Sequence, residues 1–119
     1  MDHHVVTEKL LLASSGQQVS QAIPNQGLAN AIWINAWIES GGTITSGDLD
    51  IDVQQSFDLD TWATVSSIYG SLSLAPGSVS FGTDYIGTAC IRAPFVRLKF
   101  KNTTAIDLLV GAEVQLFQM

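Results

Sequence analysis

Apolar and polar residues alternate along much of this chain with the period of two that marks a strand with one buried face. The alternation is cleanest in residues 48–54, where Leu49, Ile51 and Val53 interleave with Asp48, Asp50, Asp52 and Gln54. Residues 95–102 repeat it, with Val96, Leu98 and Phe100 on one face and Arg97, Lys99 and Lys101 on the other. In residues 108–117 the inward set is Leu108, Val110, Ala112, Val114 and Leu116, with Glu113 and Gln115 outward. Residues 28–40 are the most apolar run, placing Ile32, Ile34, Ala36 and Ile38 on one face and Trp33, Asn35, Trp37 and Glu39 on the other. Their β-branched and aromatic content favours strand over helix. Two partly apolar faces predict a central strand whose second face is covered by a loop or by a partner.

The remaining elements are shorter. Residues 5–13 supply Val5, Val6, Leu10, Leu11 and Leu12 to a core as a first strand, although the run Leu10-Leu11-Leu12-Ala13 also fits a short helix. Ser14-Ser15-Gly16 breaks it, residues 17–23 alternate imperfectly through Val19, Ala22 and Ile23, and Pro24-Asn25-Gln26-Gly27 reads as a turn. Ser56, Asp58 and Asp60 supply turn chemistry after the 48–54 strand, and Trp62 to Val65 read as its return, so residues 48–65 are predicted to form a β-hairpin. Residues 71–74, 78–81 and 85–91 read as brief strands on the rim, and Met1 to His4 as a loose end. The sum is about eight strands and no helix. The expected fold is all-β, an antiparallel, jelly-roll-like β-sandwich forming a single domain over residues 1–119. Residues 1–22 are either an extended N-terminal arm or the first strands.

Composition narrows the function. Hydrophobic residues make up 46% of the chain and charged residues only 13%, which suggests that some outer surface is covered by partner chains. The formal net charge of -6 argues against nucleic acid, because phosphate binding needs a cationic face. Cys90 is the single cysteine, so an intramolecular disulfide framework is excluded, and a small buried thiol is the expected role. The N-terminal sequence carries Asp2, Glu8 and Lys9 ahead of too short an apolar run for a secretory signal, and no run approaches a membrane span.

Candidate chemistry is sparse. The row Asp48, Asp50 and Asp52 invites calcium, but strand geometry spaces neighbouring carboxylates by roughly 7 Å, too far for compact chelation unless Asp58 and Asp60 in the following turn assist. The alternatives are a solvated face that discourages edge-to-edge pairing, or an acidic row that meets the basic row of Arg97, Lys99 and Lys101. The rows meet either within one molecule or between adjacent subunits, and in the second arrangement, our working hypothesis, they mediate self-assembly. His3 and His4 are the only histidines, and an ordinary tail accounts for them better than a metal site. The body of the chain therefore lacks a histidine base for a Ser-His-Asp or Cys-His arrangement. It also lacks a phosphate-cradling glycine loop and a zinc spacing. No catalytic residue, cofactor or metal is assigned, and the chain is not read as an enzyme. Trp33, Trp37 and Trp62 serve as core or interface anchors, or as stacking platforms for sugars.

Over nearly its whole length the chain resembles the small β-sandwich structural proteins of tailed bacteriophages. The resemblance lies in Leu11-Leu12-Ala13-Ser14-Ser15-Gly16, in the strand from Ile34 to the glycine pair Gly41-Gly42, in Val53 through the Ser56-Phe57-Asp58 turn to Trp62, and in Phe95-Val96-Arg97-Leu98. One departure is Leu59, which stands where that family usually has a glycine after the turn aspartate. The resemblance implies a virion component made in the host cytoplasm. It would be a capsid decoration (cement) protein, or a head-tail or tail accessory subunit, whose partners are copies of itself and a major capsid or tail protein, with no nucleic acid and no membrane. Candidate contacts are the arm of residues 5–23, with Val5, Leu10, Leu12 and Val19, then Trp33 and Trp37, and the basic row Arg97, Lys99 and Lys101. The turn-and-tryptophan pattern is also similar to discoidin-like carbohydrate-binding modules, which often carry a disulfide that Cys90 alone cannot form.

Overall fold

A computed structural model describes residues 2–25, 31–40, 49–68, 84–85 and 93–117. Nine strands are formed among them: β1 (Asp2–Leu12), β2 (Gln17–Val19), β3 (Ile23–Pro24), β4 (Ala31–Ser40), β5 (Leu49–Ser56), β6 (Ala63–Ile68), β7 (Asp84–Tyr85), β8 (Phe95–Asn102) and β9 (Leu108–Phe117). Every strand pair is antiparallel. One sheet has the order β1-β9-β4-β7, and the other β2-β8-β5-β6 with β3 also on β8. Because β2 and β3 share one neighbour, they act as a single interrupted edge strand. The architecture is then an eight-stranded jelly roll, all-β with no helix among the described residues.

The interruption has a local cause. The Ser20 N–H donates to the Leu98 carbonyl at 2.8 Å, and the Ser20 hydroxyl oxygen accepts the Leu98 N–H at 2.9 Å. One side chain thus takes the place of a ladder carbonyl, and the register slips by one residue between Val19 opposite Lys99 and Ile23 opposite Val96. A second irregularity lies between Val53 and Gln54, where Val65 on β6 has no residue opposite it and packs against the core instead.

The period-two pattern decides the core. Ile32, Ile34, Ala36 and Ile38 of β4 and Leu108, Val110, Ala112, Val114 and Leu116 of β9 meet Leu49, Ile51 and Val53 of β5 and Val96, Leu98 and Phe100 of β8. Each fully buried side chain of this size contributes about 1.5–3 kcal/mol of transfer free energy. β4 lies between β9 and β7, as expected for a central strand.

One expectation is corrected at the N-terminus. Asp2, His3 and His4 are not a loose end: they belong to β1, opposite Leu116, Gln115 and Val114. The reach of β9 to Phe117 offers them a complete ladder. Of the two forms expected of the N-terminal segment, an arm or the first strands, the described residues take the second and are built into both sheets as β1, β2 and β3. Cys90, Asp48 and the rim segments 71–74 and 78–81 lie outside the described residues, as does most of 85–91, of which only Tyr85 is seen, in β7.

One buried polar side chain ties an end of the sandwich together. Asn102, fully buried, donates through Nδ2 to the carbonyls of Leu12 (3.2 Å), Ala13 (3.2 Å) and Ile106 (2.7 Å). Its Oδ1 accepts from the Thr104 N–H at 2.9 Å and the Thr104 hydroxyl at 2.6 Å. The β1–β2 turn and the β8–β9 loop are thereby satisfied by one residue that the alternation alone marks only as the inward end of β8.

Candidate functional site

The turn joining β5 to β6 is a densely hydrogen-bonded exposed feature among the described residues. Ser56, buried at the end of β5, donates its hydroxyl to Asp58 Oδ1 at 3.0 Å. Its Oγ accepts the N–H groups of Asp58 at 3.2 Å and Leu59 at 2.9 Å. Asp58 Oδ1 in turn accepts the N–H groups of Asp60 and Thr61, both at 2.9 Å. These bonds favour the ionised carboxylate, led by Thr61 and Asp60, and hold Asp58 below the ordinary aspartate value. The geometry forces Leu59 to φ 66°, the left-handed region that favours glycine. The departure noted at Leu59 is therefore a site of backbone strain. Between these polar anchors Phe57 is 72% exposed and Leu59 51%.

Behind the turn, Arg97 lies with its guanidinium carbon 4.2 Å from the centroid of the Trp62 ring, a cation–π contact worth about 0.5–2 kcal/mol. Its Nε donates to Gln54 Oε1 at 2.8 Å, and Gln54 Nε2 donates to the Thr64 hydroxyl at 3.3 Å. Burial pushes the Arg97 pKa down from its ordinary value. Farther along the same outer face, Asp52 stands opposite Lys99 and Asp50 opposite Lys101. The acidic and basic rows thus face one another on adjacent strands of one molecule. Of the two arrangements open to the rows, within one molecule or between subunits, β5 and β8 take the first, with the opposite charges in direct register.

The other interface candidates separate. Leu12 is fully buried in the core and cannot reach a partner, and Leu10 packs partly buried against that core. Val19 is exposed on the β2 edge. Val5 stands opposite Glu113, and Trp33 between Gln115 and Tyr85. Trp37 is half-buried on the outer face of its sheet, opposite Gly111. A Cβ at Gly111 would strike Cε2, Nε1 and Cζ2 of its indole together, so the ring lies across the glycine. Next to it, Asn35 Nδ2 donates to Glu113 Oε1 at 3.3 Å. Exposed Leu11 and half-buried Leu109 are opposite each other at the end of that face.

The alternation missed Phe57 and Leu59, because the period breaks where the turn begins. Gly111 could have been found as a glycine inside a strand pattern, which marks a close approach. As for calcium, Asp50 and Asp52 face lysines, Asp58 Oδ1 is taken up by backbone N–H groups, and Asp60 is exposed. No group of three or more His, Cys, Asp or Glu side chains converges among the described residues.

The strand order defines the class as a jelly-roll β-sandwich. No protein-family profile matches the chain, and neither does any curated protein. Solved structures share the fold. The PBSX exported protein XepA superposes with a TM-score of 0.65 at 11% identity, over 99% of this chain and 37% of that one, so this chain spans little more than a third of XepA. The Yersinia pseudotuberculosis-derived mitogen superposes with a TM-score of 0.52 at 10% identity, over 98% of this chain and 88% of that one. At these identities the likeness is one of fold.

Proposed function

We propose that this chain is a structural assembly subunit, the virion role implied by its resemblance to tailed-phage sandwich proteins. Within that role, capsid decoration is the reading we favour over a head-tail or tail accessory position. The observation that carries it is the β5–β6 turn. Two large apolar side chains are presented outward by a network of hydrogen bonds, at the cost of a strained leucine. A turn selected only to close a hairpin gains nothing from Phe57 and Leu59, whereas a cohesive contact gains about 25 cal/mol for each Å² they bury. Repetition over a symmetric lattice multiplies that gain through avidity. A rigid presentation also lowers the ordering cost of association.

Sedimentation of the protein alone, and mixed with purified tailed-phage shells, tests this. The expected result is a homo-oligomer or a shell-bound fraction that Phe57→Ser combined with Leu59→Gly abolishes without lowering the melting temperature. A wild-type protein that stays monomeric at every concentration and leaves the shells bare would overturn the reading.

A further inference from the structure

We infer that the outer face of the β1-β9-β4-β7 sheet carries a binding site for neutral glycans, built from Trp37, Asn35 and Glu113. The site is a composite. Gly111 removes the one side chain that would lift the indole, so Trp37 lies along the sheet as a flat apolar surface. One register step away, Asn35 and Glu113 are opposite each other and hydrogen-bonded at 3.3 Å. Two residues along a strand span roughly 7 Å, comparable to one pyranose ring. A sugar whose C–H face rests on Trp37 therefore brings its hydroxyls to a carboxamide donor and a carboxylate acceptor.

The polar pair selects this occupant over a second copy of the chain. An apolar partner face laid on Trp37 would bury Asn35 and Glu113 against carbon, which costs free energy that hydroxyl groups would recover. The carboxylate selects against anionic sugars, and the net charge of -6 reinforces this. The site is on the opposite layer of the sandwich from the β5–β6 turn, so it does not depend on the assembly reading.

The test is a tryptophan-fluorescence and calorimetric titration of the intact protein with short gluco-, galacto-, manno- and N-acetylglucosamine oligosaccharides, and with an oligogalacturonate as the anionic counterpart. Saturable binding of at least one neutral series is expected, with the oligogalacturonate much weaker. Trp37→Ala and, separately, Asn35→Ala with Glu113→Ala should each weaken binding by about tenfold or more. Phe57→Ser with Leu59→Gly should leave it unchanged. If Trp37→Ala melts early, the Asn35 and Glu113 variant decides alone, because both side chains are partly solvent-exposed. No binding in any neutral series, equal binding of the anionic sugar, or undiminished binding in the Asn35 and Glu113 variant would overturn the assignment. So would a Trp37→Ala protein that loses sedimenting mass with its glycan response intact, since the face would then be a protein interface.

Discussion

Leu59 takes up a left-handed backbone because its neighbours bond the chain into that shape, and its own side chain has no part in it. A Cβ in this region costs about 1–2 kcal/mol, partly offset in a glycine variant by the greater entropy of the unfolded chain. Leu59→Gly should therefore raise stability by about 0.5–1 kcal/mol, read as a higher urea midpoint at constant slope; a lower midpoint would mean the turn is not strained. Asp58 makes a separate prediction. Its folded pKa is depressed by the N–H groups of Thr61 and Asp60 and the Ser56 hydroxyl, so its contribution is present above the unfolded value and is lost as pH falls through the folded one. Wild-type stability should thus decline from about pH 4 downward. Asp58→Asn, which keeps the acceptor oxygen but cannot titrate, should show a shallower decline. Asn102 is the residue whose loss is costliest among these, because truncation removes a fully buried carboxamide together with its bonds to three carbonyls and to the Thr104 N–H, although the Ala13 and Ile106 carbonyls keep the Gly16 N–H and the Thr104 hydroxyl. Asn102→Ala should cost about 3 kcal/mol or more in chemical denaturation.

At the scale of elements, the facing rows on β5 and β8 make the charge pattern testable. Lys99→Glu sets a carboxylate opposite Asp52 and should cost some tenths of a kcal/mol, roughly 0.2–1, an effect that salt diminishes. Adding Asp52→Lys should restore the loss, and a double variant no better than the single would show that the rows do not interact. β8 and β9 were legible to the residue because each buries one face, β5 runs two residues past its expected end to Ser56, and Val96, Leu98, Phe100 and their counterparts sit where the alternation placed them. The break between β2 and β3 was not legible. It depends on the Ser20 hydroxyl meeting Leu98, 78 residues away in sequence, which no local pattern encodes. The candidate surfaces followed the same division. Trp37 was visible as a large aromatic on an outward face, but its flat placement needed Gly111 from another strand. Phe57 and Leu59 lay in a turn that was recognised by its serine and aspartates, whose effect on the intervening side chains is set by hydrogen bonds rather than by period.

The whole molecule decides what the N-terminal segment is, and here local pattern and fold compete most directly. As a sequence, residues 1–22 fit an arm that leaves the sandwich as well as they fit strands inside it. In the fold, β1 pairs with β9 from Asp2 opposite Leu116 to Leu12 opposite Leu108. Leu12 is fully buried, and the carbonyls of Leu12 and Ala13 satisfy Asn102 on the opposing sheet. An arm that docks on a neighbour can be cut away without loss to the body it leaves. Removing residues 1–13 should instead expose the long β9 edge, strip a leucine from the core at about 2–5 kcal/mol, and leave the Asn102 amide short of acceptors. Domains of this size hold only about 5–15 kcal/mol in total. The truncated chain should therefore lose its cooperative melt and associate through the bared edge. The measurement is calorimetry with light scattering on the truncated and full-length proteins side by side. A truncated chain that melts at the full-length temperature and stays dispersed would show that β1 is an appendage, and would return the first strand to the role of a docking arm.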